Sequence, residues 1–129
     1  MDRKLISVGL GFLTLAIMLG AFAAHGLESL GVAAEKIKSF ETGVRYLFYT
    51  SFGLMILSIL MQRFDFEIKT QYRQILWGTV LFSLSIFLLV VIPALGGDKP
   101  KFLGPVTPLG GLLLILGWGG IFVKYVRTK

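Results

Sequence analysis

His25, Glu41, Arg45, Tyr46, Tyr49 and Thr107 are the residues of this chain whose chemistry and spacing could serve a ligand. Glu41 and Arg45 stand four apart, so on a helix they lie one turn from each other and can pair, and Tyr49 continues the same face. The bland reading of that pair is a charge couple that fixes a helix boundary. His25 is the sole histidine, and His25-Gly26-Leu27-Glu28 offers two potential ligands where zinc takes three or four from protein, so no metal and no cofactor is expected. As a proton-responsive group, His25 can serve a pocket rim or hydrogen-bond a neighbouring helix end. Thr107-Pro108 reads as a helix start, the hydroxyl capping an amide and proline occupying the first turn. The positive end of that helix, beside Arg45 and a protonated His25, would attract an anion: a lipid phosphate, a carboxylate or an inorganic ion.

The elements that must position these residues are four stretches without a formal charge. Leu5 to Leu27, Tyr46 to Gln62, Gln74 to Gly97 and Phe102 to Val123 contain 23, 17, 24 and 22 residues, against the roughly 17–25 that cross a bilayer as a helix. Spans are expected at about 5–25, 44–62, 74–94 and 107–126, in one transmembrane domain. The mean hydropathy of +0.80 and 55% hydrophobic residues leave too little polar surface for a water-soluble globule, so lipid must solvate much of the chain. The net charge of +6 does not point to nucleic acid, because the basic residues sit at the ends of apolar segments instead of forming one stripe with interleaved aromatics. With no cysteine, disulfides and thiolate chemistry are excluded.

Met1 to Lys4, the apolar run after it and Ala21-Phe22-Ala23 imitate a cleavable signal, but the run exceeds a signal core and is expected to be a retained first helix. Four crossings place Arg3, Lys4, Arg63, Lys69, Arg73, Lys124, Arg127 and Lys129 on one side and Lys36, Lys38, Arg45, Lys99 and Lys101 on the other. That asymmetry favours both termini in the cytoplasm and a cell (inner) membrane location. Tyr72, Trp77 and Tyr125 near the first boundary, and Tyr46 and Tyr49 near the second, suit interfacial aromatic belts.

The short second loop, Arg63 to Arg73, forces antiparallel neighbours, and the third, around Pro93 to Pro108, is rich in Gly and Pro and predicted irregular. The expected fold is an all-α, up-down-up-down integral membrane four-helix bundle. Val32 to Thr42 lacks Gly and Pro and predicts a short helical segment in the first loop that enters the second span, with Leu30, Ala33, Ala34, Ile37 and Phe40 as an apolar face for the membrane interface. Small residues mark where membrane helices approach. The first span offers Ala16, Gly20 and Ala24, and a second stripe of Ser7, Gly11, Thr14, Met18, Ala21 and His25. The fourth offers Gly110, Gly111, Gly117, Gly119 and Gly120, so spans one and four are expected to meet within the bundle or between protomers.

In antiparallel order the end of span one and the starts of spans two and four share one membrane face, which gathers His25, Glu41, Arg45, Tyr46, Tyr49 and Thr107 at a common rim. At these residues the chain resembles a known family. Gly20-Ala21-Phe22-Ala23-Ala24-His25-Gly26-Leu27, Phe40-Glu41-Thr42-Gly43-Val44-Arg45-Tyr46 and Gly104-Pro105-Val106-Thr107-Pro108-Leu109-Gly110-Gly111 occur in order, as in the domain of unknown function 423 family. The resemblance implies a small four-span bacterial membrane protein, similar to the eukaryotic transmembrane protein 256 group of mitochondria-type membranes. It would also put a histidine where Thr50 stands and a small residue where Leu84 stands, so this chain has no second histidine to accompany His25. The resemblance carries over no reaction.

The leading expectation is therefore a non-enzymatic component that associates with itself or with a larger membrane complex, with membrane lipids as its other partners. An oligomeric transporter, channel or headgroup-binding unit is the alternative. A membrane enzyme using His25 or Glu41 as acid or base is the third class.

Overall fold

The computed structural model describes residues 2–128, so Met1 and Lys129, the latter among the basic residues that bear on orientation, lie outside the described residues. Helix α1 runs Asp2–Ser29, α2 Ala34–Arg63, α3 Lys69–Thr79, α4 Ser85–Ala94 and α5 Val106–Arg127. A π-helical turn, Val80–Leu84, joins α3 to α4 into a single third span. Among the described residues, four helices are long and apolar enough to cross a membrane, and the protein is an all-α membrane bundle.

The first connection is tight because Gly31 takes φ +79°. The amide of Val32 then donates back to Leu27 O at 3.1 Å and that of Gly31 to Glu28 O at 3.0 Å, closing the last carbonyls of α1. The helical segment predicted in the first loop does enter the second span: it is the opening of α2, which continues unbroken for 30 residues. At 1.5 Å per residue that is about 45 Å, enough to carry the charged first turns of α2 beyond the hydrocarbon. Phe40 is not at the interface, as its apolar stripe suggested, but fully buried, 4.6 Å from the Phe87 ring and 6.0 Å from Phe22. Gly96, φ +92°, repeats the same closure after α4, with Gly97 N donating to Ile92 O. The third loop is irregular apart from a 3-10 turn at Lys101–Leu103.

Contacts divide the molecule into two antiparallel pairs. Helix α1 lies on α2, and α5 lies on α3 and the π-turn, while α2 meets the third span along the seam. Within the protomer, spans one and four are therefore not each other's main partners; the buried small residues of each face its neighbour in the chain. On α1 the buried small residues are Gly9, Ala16 and Ala23, seven apart, the period that keeps one seam facing a partner helix. A Cβ at Gly9 would stand 2.9 Å from Ser51 O of α2. Gly20 approaches Val44 at 3.5 Å by the same measure, whereas Gly11 and Ala24 lie exposed.

On α5, a Cβ at Gly110 would come within 2.4 Å of the Phe82 amide nitrogen and 2.9 Å of Gly78 O. One at Gly117 would reach Gln71 O at 3.1 Å, and Gly111 has only the Phe82 ring, at 3.6 Å. Gly78 on α3 completes the crossing from the other side. Such backbone-to-backbone contact replaces the hydrophobic drive that lipid cannot supply. Two core clusters result. One gathers Leu5, Leu54, Leu57, Ile68, Tyr72, Ile75, Leu114 and Ile121, and the other gathers Ala16, Ala23, Leu27, Phe40, Val44, Leu47, Phe87 and Val90. Tyr72 is thus a core residue and not part of an aromatic belt, while Trp77 and Tyr125 are exposed.

The Gly110 contact is against main chain that cannot swing aside. Gly110→Ala should destabilise the bundle by about 1–3 kcal/mol. Gly119→Ala, whose Cβ would meet nothing within 4 Å, should leave it unchanged. Unfolding midpoints in detergent or bicelles measure both, and equal midpoints would show that the crossing is not limited by the backbone.

Candidate functional site

The end of the bundle formed by the start of α2, the end of α4 and the start of α5 contains a cleft of about 440 Å³. Ser39, Thr42 and Thr107 supply hydroxyls, Lys36 and Lys99 the charge, and Ile86, Leu89, Val90 and Pro108 the apolar wall. A second lobe of about 400 Å³ shares Lys36, Leu89, Val90 and Lys99 and extends under the turn Leu30 to Ala33 toward Pro93. Helix α2 brings Lys36, Ser39 and Thr42 onto one stripe by their three-residue spacing, and the third loop delivers Lys99 from the far side.

The expected rim residues reach this end, but they do not form one pocket. Thr107 lines the cleft, and Arg45 is tied to it through Thr42, whose Oγ1 accepts from the guanidinium at 2.9 Å. The Glu41–Arg45 couple does not form: Arg45 turns to Thr42, three residues back, and Glu41 stays exposed. The Tyr46 ring lies 4.6 Å from that of Phe82, tilted to it, and 5.3 Å from that of Tyr49, edge to face, both tyrosines remaining exposed beside the seam. The His25 side chain is exposed on the face of α1 away from α2 and lines neither lobe. Among the described residues, no three His, Cys, Asp or Glu side chains gather as a metal site.

Thr107 is not the cap of α5. Pro105 precedes the helix, Thr107 lies inside its first turn, and its hydroxyl bonds to Ser85 Oγ of α4. Since Ser85 Oγ donates to Phe82 O at 2.9 Å, the Thr107 hydroxyl is the donor of that link. Pro108 costs nothing there because first-turn amides have no intrahelical acceptor. Sequence reasoning missed this and two companion links. Ser83 Oγ donates to Gly43 O of α2 at 2.9 Å, and Thr50 and Thr79 share a buried hydrogen bond at 2.8 Å. Ser83 and Ser85, two residues apart on the helix, point to opposite flanks and tie the third span to α2 and to α5. Their alternation around Leu84 was the available signal; Leu84 itself is exposed. Lys36 and Lys99 were also missed, because 63 positions separate them in the chain.

Four long apolar helices, a hydroxyl-linked interior and a basic, half-apolar cleft at one end define a small polytopic membrane protein. The family model described as "Protein of unknown function (DUF423)" matches residues 19–111, and the chain belongs to that family. It is similar to the UPF0382 membrane protein YwdK of Bacillus subtilis, 35% identical over 115 residues, 88% of each chain. It is also similar to the UPF0382 membrane protein C1782.12c of Schizosaccharomyces pombe, 31% identical over 84% of this chain and 90% of that one. A UPF0382 membrane protein of Haemophilus influenzae is 30% identical, over 88% and 86% of the two chains. No solved structure matches the chain. The described cleft residues from Lys36 to Pro108 all fall inside the family-matched segment.

Where the family resemblance would place a histidine, this chain has the Thr50–Thr79 pair. Replacing either residue with Val leaves one hydroxyl unpaired in the core, at a cost of about 1 kcal/mol. The double substitution Thr50→Val with Thr79→Val should cost clearly less than the sum of the two. A double-mutant cycle of unfolding free energies measures this, and strict additivity would mean that the hydrogen bond contributes nothing.

Proposed function

We propose that the protein is a non-enzymatic membrane component that assembles with a second copy of itself through α1. The carrying observation is the disposition of that helix. Leu5, Gly9, Ala16, Ala23 and Leu27 are buried against α2, while Ser7, Gly11, Thr14, Met18, Ala21 and His25 lie exposed on the directly opposite side. Lipid alone does not call for a stripe that is small or polar at every position but Met18. Two bilayer-embedded helices do, because small residues let their backbones approach.

A second copy suits the stripe better than an unrelated helix. Both copies insert with the same orientation, so their α1 helices run parallel and a stripe small along its whole length, from Ser7 to His25, is complementary to itself. A Cβ at Gly11 would meet nothing within 4 Å inside one protomer, so the glycine is not explained by the contacts of the monomer. Orientation belongs to the same proposal: eight basic residues at the end bearing the termini against five at the other support cytoplasmic termini in an inner membrane.

The natural absence of cysteine makes cross-linking direct. Gly11→Cys in native membranes should give a disulfide-linked dimer under mild oxidation, and Ile56→Cys, exposed on α2, should not. Cross-linking of Gly11→Cys to another protein would identify a larger complex instead of a self-dimer. Equal, weak cross-linking at both positions would overturn assembly through α1.

A further inference from the structure

We propose that the two-lobed cleft holds the phosphate headgroup of an anionic glycerophospholipid, with Lys36 and Lys99 as its paired cations and Arg45 at its rim. This stands apart from assembly through α1, on the other flank of α2. Three observations carry it. Both lobes are lined by the same two lysines, so Lys36 and Lys99 stand where about 440 and 400 Å³ of open space meet. No carboxylate lines either lobe, which leaves the two charges uncompensated by the walls. The hydroxyl protons of the cleft are already committed: Ser39 donates to Glu35 O at 3.2 Å, Thr42 to Lys38 O at 3.1 Å and Thr107 to Ser85. The side-chain donors left for an incoming anion are the lysine ammoniums, with three N–H each, and the remaining guanidinium N–H groups of Arg45 beyond the one given to Thr42.

The walls decide between a lipid and a soluble phosphate. Leu89 and Val90 floor both lobes, with Ile86 and Pro108 beside the first and Val32 and Pro93 beside the second. A free phosphate gains nothing from such surface, whereas a glycerol backbone and the first acyl carbons do. The cleft also sits at the ends of the spans, the level at which headgroups lie and at which basic side chains attract acidic lipid.

Native mass spectrometry and lipid exchange on the full chain in nanodiscs test this, with phosphatidylglycerol against phosphatidylcholine. Phosphatidylglycerol should be retained preferentially. K36Q/K99Q should lower that retention about thirtyfold, at roughly fivefold per lysine, and K36R/K99R should restore most of it. K38Q/K101Q removes the same charge from residues that line neither lobe and should change retention less than twofold. Leu89→Trp, which fills the cleft without touching a charge, should displace the lipid. Equal retention of the two lipids, or equal loss in both lysine pairs, would reduce the effect to general surface charge and overturn the proposal. Glycerol phosphate or inorganic phosphate binding as tightly as the lipid would overturn the lipid source. An unchanged unfolding midpoint in K36Q/K99Q confirms that loss of lipid is not loss of fold.

Discussion

The close approach of α5 to the π-turn of the third span is the contact on which the rest of this bundle depends. Gly110 lies against the Phe82 amide and Gly78 faces it from α3, so two backbones touch where side chains would otherwise stand. A bilayer gives helices no hydrophobic reason to associate, and the proximity at these glycines is what lets dispersion and short polar links act. It sets Thr107 within reach of Ser85, and it holds the start of α5 beside the end of α4 as one wall of the cleft. The π-turn itself is part of the device. Its wider winding accommodates the neighbouring helix, and it carries Ser83 to α2 as Ser85 turns to α5.

Around that centre the molecule is two antiparallel pairs joined by a seam, and the seam is unusually polar for a membrane interior. Thr50 with Thr79, and Ser83 with the Gly43 carbonyl, bind α2 to the third span by hydroxyls that have no water to return to. Aromatic side chains fill the space that glycines leave: Phe87 lies over Gly43, and the Trp118 ring over Gly53, where a Cβ would stand 2.4 Å from it. Each pair alone would expose these groups to lipid, so the seam forms only when both pairs are in place.

How much of this was readable from the chain follows from the kind of signal involved. Spans were legible because charge is expensive in hydrocarbon, which writes their limits into the sequence. Gly110 and Gly117 were legible as sites of approach, but not their partner: a glycine records that something comes close and not which helix does, and connectivity gave α5 to its neighbour. Phe40 looked interfacial because a helical apolar stripe has the same spacing whether it meets lipid or protein. Thr107 satisfied the composition of a cap while its hydroxyl was taken by Ser85, a bond that depends on a helix 22 residues earlier. The π-turn left no mark beyond Ser83 and Ser85. Lys36 and Lys99 read as loop charges, since only the folded third loop brings one to the other.

The two surfaces to which this structure draws attention lie on different flanks of α2. Helix α1 covers one flank and turns its small-residue stripe outward, away from the rest of the protomer. The cleft opens on the other, between α2, α4 and α5, with the Leu30 to Ala33 turn as the one element of the α1–α2 hairpin's tip that borders its second lobe. A symmetric contact through the stripe therefore leaves both clefts open to the bilayer, and a headgroup in the cleft leaves the stripe free. Assembly and lipid binding need not compete for the same helix faces. Where they meet is the turn itself: the Val32 amide donates to Leu27 O and its side chain packs on the cluster that holds Leu27, so the order of that turn is common to the end of α1 and to the lobe beside Lys36.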